Sequence, residues 1–332
     1  MRAVVTDRSG GPEVLRLEEV SNPRLTRSDQ VLVRIKAAGI NPIDYKMRRD
    51  LSRFPVTLPA ILGCDGAGVI EAIGEKVTRF RAGDEVYFCQ PGFNGRQGTY
   101  AQYAVVDEAL VAKKPKALDF IQAAAAPLVL LTAWESLYDR VKLEKGAKVL
   151  IQAGAGGVGH IAVQLAKMVG SHVATTVSTQ EKVQFVHRLG ADLVIRYREQ
   201  DVVAQVRTWT EEQGVDLALD TVGEEVFSQC CACTRVYGQV VTILQPPANF
   251  DWTVARVRNL KIGLEMMLTP VLLELPKWQR HQGEILEQAA DLFDQGQLKV
   301  EVARTYPLEN AAEAQRYLET QAPMGKVVLT LD

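Results

Sequence analysis

Near the middle of the chain, Gly154-Ala155-Gly156-Gly157-Val158-Gly159 carries the spacing G-x-G-x-x-G. Each glycine of that spacing has a physical use. Gly154 permits a tight turn, Gly156 lets a charged ligand approach the backbone, and Gly159 lets a helix pack close to a sheet. The ligand chemistry is that of a pyrophosphate, received by the free N–H groups and positive dipole end of a helix starting at Gly157 and Val158. The flanking sequence supplies the required context. Val149-Leu150-Ile151 reads as a buried strand. Ile161, Val163, Leu165, Ala166, Met168 and Val169 recur at near-helical spacing, and residues 173–177 form a second β-branched run. Strand, glycine turn, helix and strand within about 30 residues make a dinucleotide fingerprint.

The end of the second strand selects the dinucleotide. An NAD site places Asp or Glu there to hold the adenosine ribose. This strand ends Thr175-Thr176-Val177-Ser178, with no carboxylate before Glu181. A 2′-phosphate suits that composition: Ser178 and Tyr197 offer donors and Lys182 a charge, so the expected cofactor is NADPH. Asp220-Thr221-Val222-Gly223 and Ile243-Leu244 close the fourth and fifth strands and are expected to face the same crevice.

The elements that must position these residues fall into two groups. Residues 1–120 hold short strand-like segments (2–6, 30–37, 67–74, 85–89 and 101–106) separated by Gly, Pro and Asp turns, with no long amphipathic helix before Asp119. Residues 121–265 alternate strands (148–153, 172–177, 193–197, 215–221, 239–244, 260–265) with helices (157–169, 180–189, 201–212, 224–235). A helix is expected over 281–295, after Pro270 and Pro276. The fold class is therefore α/β: a β-rich, partly open barrel from residues 1–120 plus 266–332, with a doubly wound parallel-sheet domain, 121–265, inserted in it. The active site is expected in the cleft between the two.

Composition excludes several function classes. The 332 residues are 47% hydrophobic and 23% charged, with a formal net charge of −2 and no basic run for nucleic acid. No apolar stretch reaches the roughly 18 residues of a membrane span, and MRAVVTDRSG lacks a signal-peptide core, so a cytoplasmic location is expected. Five cysteines without a C-x-x-C pair suit a reducing compartment. Cys230, Cys231 and Cys233 are expected on a helix as small, partly buried, inert thiols rather than metal ligands.

A β-rich first domain, AGAGGVG in an inserted nucleotide domain and a closing GKVVL resemble the medium-chain dehydrogenase/reductase superfamily, with a GroES-like first domain, along nearly the whole chain. The segments NPIDYK (residues 41–46), LGCDGAG (62–68), GTYAQY (98–103), LTAWESL (131–137) and DTVG (220–223) resemble its zinc-free quinone oxidoreductase and enone (alkenal) reductase branch. The resemblance implies that Asn41, Cys64 and Leu130 stand where the zinc enzymes keep their catalytic ligands. It also implies that a short turn at 94–97 replaces the four-cysteine structural lobe. A catalytic zinc needs three deprotonated side-chain ligands, so no metal is expected. The resemblance places Ser178, Lys182 and Tyr197 at the 2′-phosphate and Gly154, Gly156, Gly157, Val158 and Gly159 at the pyrophosphate. It places Asp220, Val222, Gly223, Ile243 and Leu244 along the adenosine and nicotinamide halves, Thr132 near the carboxamide, and Gly325-Lys326 against the cofactor.

For the chemistry, the resemblance implies hydride transfer from NADPH to an enone or quinone. Lys46 would contact the carbonyl, polarising it, or the nicotinamide ribose, Tyr45 or water would protonate the enolate, and Asn41 would orient the pocket wall. Without the motif, Lys46 beside Arg48 and Arg49 reads as a solvated basic turn. Classical quinone reductases often carry tyrosine at the position of Lys46, which favours enones. Phe93, Trp252, Met266, Met267 and Leu268 are further pocket candidates. Two other readings stand beside this one. One is an enoyl-thioester reductase using Arg256, Arg258 and Lys261 for a carrier phosphate; the other is a catalytically silent, crystallin-like NADPH-binding protein. The family implies a homodimer joined through nucleotide-domain sheet edges.

Overall fold

The structure is a computed structural model that describes residues 1–331. Two units divide the chain: Met1–Leu131 with the segment from Leu268 onward, and Thr132–Met267 between them.

The first unit begins with strands β1 (Arg2–Thr6), β2 (Arg16–Glu19) and β3 (Gln30–Ile40), then helix α1 (Pro42–Arg49). Strands β4 (Ala60–Ile61), β5 (Asp65–Ile73), β6 (Glu85–Cys89), β7 (Tyr103–Asp107) and β8 (Val111–Lys113) follow, with helix α2 (Phe120–Ala125). Helix α3 (Pro127–Trp134) carries the chain into the second unit. There strands β9 (Lys148–Ile151), β10 (His172–Val177), β11 (Leu193–Arg196), β12 (Val215–Asp220), β13 (Thr234–Thr242) and β14 (Lys261–Leu264) alternate with helices. These are α4 (Gly157–Val169), α5 (Gln180–Arg188), α6 (Val202–Trp209), α7 (Glu225–Cys233) and α8 (Thr253–Val257). The return to the first unit supplies α9 (Thr269–Leu272), α10 (Pro276–Asp294), β15 (Val302–Pro307), α11 (Ala311–Thr320) and β16 (Lys326–Thr330).

β3 organises the first unit. Val31, Val33 and Ile35 are buried, as their alternation requires, but from Ala37 onward both faces are buried and the side chains shrink to Ala, Ala and Gly. The reason is α2, which lies on this end of the strand. A Cβ on Gly39 would sit 2.3 Å from the Ala124 carbonyl oxygen. β3 pairs with β5, β7 and β16, and two register shifts bend it enough to serve all three. The main sheet runs β15-β16-β3-β5-β6-β8 with β7 beside β3, and a smaller sheet runs β2-β1-β4. Since α2 packs here, the first unit runs on to Leu131, and residues 121–131 lie in it rather than in the second.

The second unit is a six-stranded parallel sheet in the order β11-β10-β9-β12-β13-β14. β13 begins five residues before the expected 239, because Tyr237 takes a left-handed φ of 59° and Gly238 follows, allowing the strand to resume after an irregularity. Cys230, Cys231 and Cys233 are fully buried on α7 against Val206, Phe227 and Val240. α10 starts at Pro276, earlier than expected. The proline occupies the first turn, where its missing N–H costs nothing. No helix among the described residues is long and apolar enough to cross a membrane.

Candidate active site

In the second unit the strand order reverses between β9 and β12, so the crevice at their carboxyl ends is where a ligand fits a doubly wound sheet. The glycine turn leaves β9 there. Gly154 lies against β10, where an added Cβ would fall 2.0 Å from Thr175 Oγ1. At Gly159 a Cβ would fall 2.2 Å from the Ala153 carbonyl oxygen. Gly156 is different: a Cβ would meet only the Ala153 oxygen, at 3.2 Å, with space otherwise open around it. Gly156 is also the N-cap of α4, and no side chain caps the helix. Gly157, Val158 and Gly159 therefore form a first turn whose N–H groups await an acceptor. This cradle fits a pyrophosphate.

The flanking turns are built to keep the crevice clear. Asp220 is fully buried, and its carboxylate accepts the N–H groups of Val222 (2.9 Å) and Gly223 (2.8 Å) and the Thr242 hydroxyl (2.8 Å). Its role is to shape the DTVG turn. Val222 is left 47% exposed, and Gly223, with φ of 85°, is packed by Leu244. Thr221 ties this turn to the Gln152 carbonyl at 2.8 Å, and Ile243 and Leu244 are half-buried beside it. Thr132 is buried near the start of this unit.

At the end of β10, Lys182 Nζ stands 3.4 Å from Ser178 Oγ. Partial burial and the neighbouring Arg198 lower the Lys182 pKa. Arg198 escaped the sequence reading because its charge joins Lys182 only through the fold. Tyr197, beside it in sequence, is 49% exposed. Two cations and a hydroxyl outnumber the one carboxylate that acts on Lys182, that of Glu181, and suit a phosphate monoester.

In the first unit, α1 carries Tyr45 and Lys46. Lys46 is exposed and has no ion-pair partner among the described residues, while desolvation and the repulsion of Arg53 lower its pKa. Tyr45 is half-buried, its pKa raised by burial, with Arg49 over its ring. Asn41 is fully buried. Its amide donates to Asp65 at 2.8 Å and accepts from Lys326, so it is committed to its neighbours. Lys326 is also buried and donates to the Ile40 carbonyl at 2.9 Å. Gly325, at φ of 78°, packs on the Glu301 backbone and has no room for a side chain.

Asp44, which the sequence reading did not single out, is the centre of this interior. Its carboxylate accepts from the Asn41 N–H (2.8 Å), the Tyr100 hydroxyl (2.8 Å) and the Cys64 thiol (3.6 Å). Burial pushes its pKa up to about 7, against the lowering effect of the first two donors. The signal was present as Asn-Pro-x-Asp, an N-cap with its N3 acid. Arg48 is likewise buried rather than solvated.

This donor set does not fit a catalytic zinc. Asn41 is spent on Asp65 and Lys326, Leu130 has no donor atom, and burial first, then Asp44, raise the Cys64 thiol well above its ordinary pKa. A zinc site needs thiolates, imidazoles or carboxylates free to converge.

The other candidates are dispersed. Phe93 is fully buried and stacked on Phe54, and Trp252 packs edge-on against Phe250 beside Phe227. Met266 is exposed, and Met267 and Leu268 are buried. Arg258 is bonded to the Thr234 carbonyl at 2.6 Å, which weakens the case for a carrier-binding patch. A cavity of about 350 Å³ in the first unit contains none of the expected residues, and its charged wall is internally compensated, with Arg96 on Asp107 at 3.0 Å.

Residues 27–116 match the alcohol dehydrogenase GroES-like domain family, and residues 189–329 match a family described as zinc-binding dehydrogenase. The chain is 34% identical to the chloroplastic NADPH-dependent alkenal/one oxidoreductase of Arabidopsis thaliana, over 99% of this chain and 79% of that protein. It is 30% identical to the quinone oxidoreductase of Homo sapiens, over 100% of this chain and 98% of that one. The crystal structure of Escherichia coli quinone oxidoreductase complexed with NADPH superposes with a TM-score of 0.89 at 29% identity, covering 100% of both chains.

Proposed function

The chain belongs to the medium-chain dehydrogenase/reductase superfamily, in its quinone and alkenal/one oxidoreductase branch, and from that premise we propose that it is an NADPH-dependent, metal-independent reductase of α,β-unsaturated carbonyl compounds. The observation that carries this reading is Lys46, an exposed ammonium without an ion-pair partner among the described residues, on a helix whose inward ionisable groups, Asp44 and Arg48, are committed. The cofactor is NADP(H). The pyrophosphate is held by the first turn of α4, and Ser178 and Lys182, with Tyr197 and Arg198 beside them, receive the 2′-phosphate. When bound, the reduced nicotinamide supplies the hydride.

The residues of the chain do the rest. As hydride reaches the β-carbon, negative charge develops on the carbonyl oxygen, and the Lys46 ammonium donates a hydrogen bond to it. Its lowered pKa makes it a stronger donor. Tyr45 or water then protonates the α-carbon. Asn41 acts from behind, holding Asp65 and Lys326 in register beneath α1. Quinones are the second reading, since a reduced quinone oxygen carries charge with less help. The outer edge of β14 is unpaired among the described residues and ends in the 61%-exposed Leu264, so we also propose that two copies join there.

The test is NADPH oxidation by chelator-treated protein with a simple enone and a quinone in parallel. Enone turnover should survive the chelator, and Lys46→Ala should lower kcat by about 10²-fold or more while NADPH still binds. Activity on quinones alone, indifferent to Lys46→Ala, would transfer the assignment to a quinone reductase. Binding without turnover would favour the silent protein.

A further inference from the structure

α1 presents an unusual inner face. Asp44, Met47 and Arg48 are its buried residues, so two of the three side chains turned inward are ionisable. An amphipathic helix ordinarily buries an apolar stripe, and an ion pair out of water is seldom more stabilising than apolar side chains of the same volume. Stability is therefore a poor explanation for Arg48. Geometry is a better one.

The Arg48 guanidinium, 1% exposed, donates from all three nitrogens to separate partners. Nε bonds the Gly10 carbonyl at 3.1 Å, Nη1 bonds Gln315 Oε1 at 2.8 Å, and Nη2 bonds Glu319 Oε1 at 2.6 Å. Gln315 and Glu319 lie one turn apart on α11, and the Gly10 N–H returns a bond to the Arg48 carbonyl at 3.0 Å. A planar fork bonded in three directions fixes both the rotation of α1 about its axis and its slide along α11. Arg49 shares Glu319 from the surface at 3.0 Å, which closes the clamp. Between this clamp and the Asp44 anchor one turn earlier stands Lys46, pointing outward.

We propose that Arg48 is the positioning residue for Lys46: by locking α1 to α11 it sets where the Lys46 ammonium meets the substrate carbonyl. This rests on the enone-reductase reading given above. Misplacing a reacting group by about 1 Å can cost 10²-fold in rate, so the clamp acts on kcat and leaves cofactor binding alone.

The experiment is a double-mutant cycle on the full-length protein with Lys46→Ala, Arg48→Met and the double variant. It measures kcat on a simple enone, the NADPH dissociation constant by nucleotide fluorescence, and the thermal midpoint. Arg48→Met should lower kcat on the order of tenfold to a hundredfold, with unchanged NADPH affinity and a midpoint well above the assay temperature. In the Lys46→Ala background it should cause no further loss. Losses that multiply in the double variant would overturn the proposal, as would loss of NADPH affinity in Arg48→Met. Should Arg48→Met not fold, Arg48→Lys, which keeps the charge but lacks the fork, completes the same cycle with the same criteria. If Lys46→Ala is itself harmless, the enone reading fails first and the positioning role falls with it, a result distinct from an additive cycle.

Discussion

Asp44 occupies the third position of α1 with no solvent around it, and its carboxyl has been pushed from an ordinary 3.8 to about 7. The consequence for stability has a definite sign. Between about pH 4 and pH 7 the unfolded chain has released this proton and the folded chain has kept it, so the folded state binds more protons and loses stability as pH rises. Above pH 7 the penalty is constant. Asp44→Asn removes it while retaining an acceptor for the Asn41 N–H and the Tyr100 hydroxyl. Measured by urea unfolding, the variant should gain about 3 kcal/mol on the wild type between pH 5 and pH 8. Parallel stability curves would show that Asp44 is ionised throughout. At this scale the sequence was uneven. Ser178 and Lys182 could be read because a missing carboxylate is a local fact. The burial of Arg48 could not, because its partners Gln315 and Glu319 lie 267 and 271 residues away.

The three glycines of the turn, interchangeable in a motif, have different neighbours. Gly154→Ala drives a methyl group into Thr175, and overpacking of this kind costs about 1–3 kcal/mol. Gly156→Ala brings its methyl to 3.2 Å from the Ala153 oxygen and to no other atom, at an ordinary φ of −80°, so a shift of a few tenths of an ångström should accommodate it, yet the methyl stands where a pyrophosphate would approach. Thermal melts and NADPH titrations should therefore split the pair: Gly154→Ala loses stability, and Gly156→Ala keeps its melting temperature but loses cofactor affinity. A Gly156→Ala protein that binds NADPH as well as wild type would move the pyrophosphate away from this turn. α4 itself was legible to both ends, since its apolar spacing stops at Gly170, a left-handed cap with φ of 86°. α1 was not, because a helix that buries Asp and Arg has no apolar period to read.

For the whole molecule, six parallel strands with alternating helices followed directly from periodicity, while the limits of the first unit depended on where α2 packs, which periodicity does not report. The unpaired edge of β14 bears on assembly. If two copies join there, sedimentation should give a mass near twice 36.6 kDa. A proline at Ile262, which would remove a backbone donor from that edge, should return the protein to the monomer without abolishing NADPH binding. A monomeric wild type would discard the assembly.

The pairing of β3 with β16 has a consequence for biosynthesis. β3 leaves the ribosome long before β16, the strand that covers its Ala37–Ile40 end. Roughly 200 residues separate the end of the first segment of that unit from β16, so at 5–20 residues per second the wait is about 10–40 s. All of the second unit emerges during that interval. The nascent protein therefore has its second unit complete while the sheet whose strand β3 leads into α1 still has an open edge, and that edge is the segment a chaperone has reason to guard.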